Sequence, residues 1–409
     1  MSSRIAYIIG DFCQYNYTNR IIAERINWLA KNYDCSINVL ITFYPDEAED
    51  EELAFDLPEN VQITILDEEE QLKRRIPGKY SRREFRREQR FFLEKIKYVL
   101  REWEPQIVIS SIRQGDPILY YKKRKVLNIA DINYSCTNWG FTDPKEDRPI
   151  LKKQIIRDWQ RKRYFRKMRK YFKLWVVKSQ RDVPFWNQLY DNVHAIPDPI
   201  PAKRMEAPAE KGKSVIALGE YSHWGGFKKL IEHWTKVSRR YPDWKLKLCG
   251  KEDPKEYQEL INQKGLQKFI FCLPEIVDIN EVASTESLIA TVSQNGELES
   301  LMAEAINLGI PCLGLKYPLC HNRVIIDNKN GFLFYWKHEV DLIVRLQVLM
   351  SNEEMRKELI ETCPHTVEDR KIDHVMKQWV YLFESYDSKG KFKYPRKQKG
   401  GLRCFFSRR

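Results

Sequence analysis

SQNGELESLMAEAINLGIPCLGLKYPLCHNRVIIDNKNGFLF, residues 293–334, is the stretch whose reading decides the fold. It opens on a strand end and an acidic loop, then runs into the helical segment around Glu304. Gly309 and Pro311 close that segment, because neither residue continues a helix interior without cost. The apolar run that follows is short enough for a buried strand. A loop and the pair Asn330-Gly331 then predict a glycine-turned hairpin.

Working outward, short β-branched runs alternate with helical patterns, which predicts parallel sheets with crossover helices. In the first half, strands are expected at 4–9, 36–42, 61–65, 107–110, 126–133 and 174–178, with helices over 18–31 and 83–103. A second series has strands near 215–219, 245–249, 269–272, 288–292 and 311–315, with helices near 226–240, 254–264 and 299–308. IPDPIP, residues 196–201, lies between the two series. Three prolines in six residues make it stiff and extended, so it reads as the hinge. A long helix is expected over 366–386, carrying Trp379, Val380, Leu382 and Phe383.

A chain of 409 residues has room for two cores, and a hydrophobic content of 43% argues for a folded chain. No apolar run is long enough for a transmembrane helix, and MSSRIAYIIG breaks too soon for a signal peptide. Nine scattered cysteines without a CxxC pair suggest buried thiols in a reducing cytoplasm. No Walker loop, HExxH, GxSxG or EF-hand loop is present. No Cys/His set has ligand spacing, and no Asp-x-Asp stands where one would be needed, so no metal is expected.

The pieces around 293–334 keep an order and spacing that resemble the retaining GT-B glycosyltransferases of the family 4 type, the glycosyl transferases group 1. Glu304, Ala305, Gly309, Pro311, Asn330 and Gly331 fall in step with that family's donor-binding core. VIALGEYSHWGGFKKLIEHW (215–234) resembles the first strand, loop and helix of its nucleotide domain, and YPDWKLKLCG (241–250) its second strand. AIPDPI (195–200) resembles its hinge, and IAYIIGDFCQYNYTNRIIAERINWLAKN (5–32) its N-terminal strand, loop and helix.

The resemblance implies two Rossmann-like domains facing a cleft. These are an acceptor-side domain over 1–198, a nucleotide-sugar domain over 199–365, a returning helix over 366–388 and a basic tail over 389–409. It implies transfer from a nucleotide sugar to a glycan or lipid-linked acceptor with retention, in surface polysaccharide or glycan biosynthesis, with the nucleotide sugar as substrate and no cofactor. Glu304 is then expected to accept hydrogen bonds from the donor ribose. Gly219, Gly226, Lys228, Lys229, Asn295 and Ser300 are expected beside it at the donor, and Glu297 in the catalytic role.

The chain departs from the family at several charged positions. Glu220 and Gly225 stand where an Arg and a Lys are usual, and Gly296 where the first glutamate is usual, with Glu297 one residue late. Asn16 and Tyr17 align with a Gly-Gly turn, and the segment 129–140 has no histidine. A leaving diphosphate needs its charge neutralised. One like-charge contact at about 4 Å costs roughly 4 kcal/mol at an effective dielectric near 20. Lys228, Lys229, His223, Lys316, His321 and Arg323 are the cations available to substitute. A glycosyltransferase-like binding or scaffold protein without catalysis is the alternative reading. For Glu299, a place in the helix's first turn is expected, where a carboxylate suits the dipole.

The net charge of +13 is concentrated in residues 151–175 and in the tail. Phe165, Met168, Phe172 and Trp175 recur at helical spacing inside the first stretch. That stripe is either the packed face of a helix with a solvated basic rim, or a contact for an anionic membrane surface. Arg82, Arg83, Arg86, Arg87 and Arg90 add a second basic patch. Nucleic acid is not expected as a partner. The location expected is cytoplasmic, peripheral at the inner membrane face.

Overall fold

The computed structural model describes residues 2–12, 16–43, 55–66, 82–112, 120–133, 163–201, 212–221, 226–280, 287–292, 298–316, 324–335 and 339–393, apart from single positions within these ranges. The first half runs β1 (Ser3–Asp11), α1 (Tyr17–Asn32), β2 (Cys35–Phe43), β3 (Val61–Ile65), α2 (Arg82–Trp103), β4 (Ile107–Ile112), β5 (Leu127–Ile132), β6 (Leu174–Val177), α3 (Val183–Trp186) and β7 (Val193–Ala195). The second runs β8 (Ser214–Glu220), α4 (Phe227–Arg240), β9 (Lys245–Lys251), α5 (Lys255–Gln263), β10 (Ile270–Leu273), β11 (Leu288–Thr291), α6 (Glu299–Asn307), β12 (Cys312–Leu315) and β13 (Gly331–Phe334). Helices α7 (Glu339–Ser351), α8 (Glu353–Thr362) and α9 (Ile372–Ser385) follow.

The strands form two separate sheets, ordered β3-β2-β1-β4-β5-β6-β7 and β10-β9-β8-β11-β12-β13. The described pairings are all parallel. Parallel strands covered on both faces need unbroken apolar runs, which is why every residue of β5 and β11 is buried. This is the two-domain α/β architecture of the GT-B fold. In each sheet the strand order reverses once, between β1 and β4 and between β8 and β11. The crevice beyond the carboxyl ends of strands at such a reversal is where open α/β sheets bind ligands.

Two crossings tie the halves together. The Ile200 amide donates to the Arg370 carbonyl at 2.7 Å, and Ile200 bridges Lys371 in parallel. This contact explains why the expected helix over 366–386 is interrupted. Cys363–Arg370 is a 3-10 segment, Lys371 is extended, and α9 begins at Ile372. Beyond that point Val375, Met376, Trp379, Leu382 and Phe383 join the core of β1, β2 and α1.

The expected hairpin at Asn330-Gly331 is not formed. Cys312 pairs with Gly331 in a parallel ladder, so β13 is a further strand of the same sheet. Asn330 lies in a turn over 328–330 and anchors it to its surroundings. Its Nδ2 donates to the Val324 carbonyl at 2.9 Å and to Thr366 Oγ1 at 2.7 Å, while Oδ1 accepts from the Ile326 amide at 2.8 Å. Gly331 is required by close approach, since a Cβ there would lie 1.8 Å from the Cys312 carbonyl oxygen.

The stripe Phe165, Met168, Phe172 and Trp175 is buried in a core with Trp186, Leu189 and Tyr190. Trp175 stacks on Tyr190 with centroids 3.4 Å apart. These side chains therefore do not face a membrane; the stripe is the packed face of the two readings. Arg163, Arg166, Arg169 and Lys170 form an exposed basic rim around it, with Arg169 paired to Asp191. Residues 151–162, 394–409 and the side chains of Arg82, Arg83, Arg86 and Arg87 lie outside the described residues.

Replacing Gly331 by Ala should destabilise the protein by about 3 kcal/mol or more, because the clash is with backbone and neither strand can retreat without losing ladder bonds. Chemical denaturation of the two proteins measures this directly.

Candidate functional site: the cleft between the two strand-order reversals

The helix α6 leaves the carboxyl end of β11, beside the end of β8 from which residues 221–226 lead into α4. Gly219 is buried in β8. Gly226 takes φ 72° at the start of α4, a left-handed conformation that glycine adopts freely. Lys228 is exposed and Lys229 half-buried in the first turn, which has no acidic residue. Lys316, directly after β12, lies with Nζ 5.1 Å from the Tyr335 ring centroid. Asn295, Gly296, Glu297, His223, Gly225, His321 and Arg323 lie outside the described residues, as does the side chain of Glu220.

On the other side, α1 follows β1 at the first reversal. Asn16 caps it: its Oδ1 accepts from the Asn19 amide at 3.0 Å. Tyr17 and Arg20, on the first turn, reach across to the second domain. Arg20 Nη2 donates to both carboxylate oxygens of Glu304, at 2.5 and 2.6 Å. Tyr17 donates its hydroxyl to Glu304 Oε1 at 3.0 Å, and its ring packs against the second domain's core. Arg20 Nη1 lies 3.6 Å from Asp278, after β10. Glu304 is 3% exposed and Arg20 6% exposed, so this ion pair is buried between the domains.

Ser300 makes a second tie. Its hydroxyl donates to Asp198 Oδ2 at 3.1 Å, where Asp198 belongs to the hinge. Lys178, at the end of β6, bridges Asp198 at 3.1 Å and Asp131 at 2.8 Å. Asp131, at the end of β5, also accepts from Arg25 at 2.7 Å. Asp131 is fully buried and Arg25 is 1% exposed. Tyr17 lies beside Asp198 and Ser300 as well as Glu304, which joins both ties into one polar seam. Glu299 is in the first turn of α6 and accepts from Arg370 at 2.7 Å.

The charges in this seam respond to burial in two ways. Burial opposes ionisation of Asp131, yet Arg25 and Lys178 outweigh it and hold the carboxyl below the usual range. Burial pushes the Glu304 carboxyl up to about 7, while Arg20 and Tyr17 pull the other way. Burial likewise raises the Tyr17 hydroxyl, with Glu304 adding to it, so Tyr17 stays protonated and donates.

Of the expected donor residues, Glu304 and Ser300 are brought together on one face of α6, and that face meets the first domain. Gly219, Gly226, Lys228 and Lys229 stand at the adjoining strand end. Tyr17, Arg20, Arg25, Asp131, Lys178 and Asp198 were not singled out from sequence. Two of them carried a signal: Arg25 lies between Ile22 and Ile26 on an apolar helical face, and Asp131 interrupts a buried strand. A charge in either place requires a partner. Among the described residues no group of three or more His, Cys, Asp or Glu is placed to hold a metal ion.

Replacing Asp131 by Ala leaves Arg25 buried without its carboxylate and should cost about 3–5 kcal/mol at neutral pH. The sign with pH follows from its lowered pKa. The native contribution is complete above the ordinary aspartate range near 3.8 and is lost as pH falls through the folded value. The gap between native and variant midpoints in urea should therefore narrow in acid.

Known proteins share this fold. Residues 201–365 match the family described as glycosyl transferases group 1. An uncharacterized glycosyltransferase of Haemophilus influenzae is 22% identical over 210 residues, covering 50% of this chain and 59% of that protein. A Campylobacter jejuni protein, named as a GalNAc-alpha-(1->4)-GalNAc-alpha-(1->3)-diNAcBac-PP-undecaprenol alpha-1,4-N-acetyl-D-galactosaminyltransferase, is 23% identical over 177 residues, covering 42% of this chain and 48% of that one. The chain thus spans about half the length of these curated relatives. Among solved structures, TarM matches with a TM-score of 0.69 at 13% identity, over 94% of this chain and 99% of that one. A variant of S. aureus TarM in complex with fondaparinux, alpha-GlcNAc-glycerol and UDP matches with a TM-score of 0.66 at 13% identity, over 94% of this chain and all of that one. The second domain is thus similar to the glycosyl transferases group 1, and the chain as a whole has the GT-B fold.

Proposed function

We propose that this protein transfers a sugar, with retention, from a nucleotide-sugar donor to a glycan or lipid-linked acceptor in the synthesis of a surface polysaccharide. One observation carries the reading. Each strand-order reversal leads into a helix, and those helices meet: Glu304 on α6 is held by Arg20 and Tyr17 on α1. Similar proteins support the substrate classes: TarM has been solved with UDP, and the Campylobacter protein is named for an undecaprenol-linked glycan.

In this reading the chain's residues divide the work. The carboxylate of Glu304 accepts ribose hydroxyls. The amide ends of α4 and α6 and the lysines Lys228 and Lys229 meet the diphosphate, which gains charge as the sugar leaves. Gly219 and Gly226 let the backbone approach it, Asn295 and Ser300 hold the donor beside them, and Glu297 supports the reacting sugar.

A non-catalytic binding or scaffold role is the second reading. It is favoured by the replacement of the usual cations at Glu220 and Gly225 and of the first glutamate at Gly296. The closed Arg20–Glu304 pair also favours it, since Glu304 is 3% exposed. A screen of nucleotide sugars by calorimetry and by product release separates the two: turnover of a donor supports the enzyme, and binding without turnover supports the second reading.

Replacing Glu304 by Gln should weaken donor binding by roughly 1–3 kcal/mol, the worth of a hydrogen bond to a charged acceptor. A nucleotide sugar has no group of its own titrating near neutrality. Native affinity should therefore fall as pH drops through about 7, where Glu304 gains its proton, and the Gln variant should show no such slope. Equal affinity across pH in both proteins would remove Glu304 from the donor site.

We further infer that the first domain meets an anionic membrane surface by charge alone. The apolar stripe is buried, and the exposed Arg166, Lys170, Arg90 and Arg101 remain on the outside. Vesicles containing anionic lipid should sediment the protein at low salt and release it at high salt, as screening shortens over about 8–10 Å. Binding to neutral vesicles, or salt-insensitive binding, would contradict this.

A further inference from the structure

We propose that Arg20 and Tyr17 are positioning residues for the donor: from the first domain they fix and orient the carboxylate of Glu304, which the second domain presents to the nucleotide. The inference rests on the donor-site reading above and names residues that reading does not use.

The geometry is unusual for a carboxylate assigned to a ligand. A carboxylate has about four acceptor sites. Glu304 has three filled, all from the first domain: Arg20 on both oxygens and Tyr17 on Oε1. The remaining site is on Oε2, so its direction is set by Arg20. Nη2 alone bridges both oxygens while Nη1 is turned to Asp278, so the guanidinium is held between two acids and the carboxylate is centred on one nitrogen. Among the described residues the second-domain charge beside the pair is Asp278, an acid that itself faces Arg20 at 3.6 Å.

The contact is also built rather than incidental. Asn16 caps the helix that carries both residues, and Tyr17 packs its ring into the second domain's core. Arg20 lies 5.2 Å from the Tyr17 ring centroid, so the two side chains hold each other as well as Glu304. A first-domain helix thereby decides how a second-domain ligand group points. A donor should meet a ready acceptor only while α1 and α6 are in contact.

The test is titration calorimetry of the full chain with UDP, ADP and GDP, using native protein, Tyr17→Phe, Arg20→Lys and Arg20→Gln. The preferred nucleotide should bind Arg20→Gln at least about tenfold more weakly, and Tyr17→Phe a few-fold more weakly. Arg20→Lys should recover part of the loss, which a merely structural defect would not do. Tyr17→Phe keeps the ring and its packing, so it remains informative if Arg20→Gln fails to fold. In turnover with the matching nucleotide sugar, the loss should fall on KM more than on kcat. Native-like binding by Tyr17→Phe and Arg20→Gln would overturn the proposal and leave the donor site standing. Tighter binding by the variants would also overturn it, showing that the clasp competes with the ligand. If the native protein binds none of the three nucleotides, the donor-site reading itself fails and this proposal falls with it.

Discussion

A buried ion pair between two domains is the constraint on which the site depends. Arg20 and Glu304 have left water on opposite halves of the chain, and neither is stable there alone. Desolvating each charge costs several kcal/mol, which only close geometry and further hydrogen bonds offset. The pair gains that geometry from two helix starts that face each other, and the added bonds from Tyr17. Such pairs contribute little net stability compared with apolar packing, but they are strict about placement. Here the strictness fixes one relative position of α1 and α6.

The second half of the seam extends the same logic. Asp131, Lys178 and Asp198 run from the interior of the first sheet to the hinge, and Ser300 passes the contact to α6. Next to it, Ile200 pairs with Arg370, so the outgoing and returning crossings lie together. Arg370 in turn holds Glu299. The helix proposed to meet the donor is therefore anchored at three places along its first two turns: Glu299, Ser300 and Glu304. This explains why residues with ligand-like chemistry are found engaged with protein.

Much of the fold was legible in the sequence because parallel strands have to be apolar throughout and helices between them have to be amphipathic. The strands at 61–65 and 107–110 and the helix over 83–103 were readable on that basis. The errors have one physical origin. Asn330-Gly331 has the composition of a tight turn and closes one, but the strand that leaves it pairs parallel with β12, a partner that local composition does not specify. The break before α9 comes from a hydrogen bond to Ile200, far away in sequence. In the site, Glu304 and Ser300 were legible as polar residues on a helix expected at the cleft. Their partners were not, because Tyr17, Arg20 and Asp198 acquire meaning only when the two domains meet.

The measurement that bears most directly on this account is a crystal structure of the full chain with a nucleoside diphosphate. The account predicts density in the cleft between the starts of α1 and α6, with a ribose hydroxyl within hydrogen-bonding distance of Glu304 and Arg20 still on the same carboxylate. A nucleotide bound away from that cleft, or bound there with Glu304 turned from it, would contradict the account.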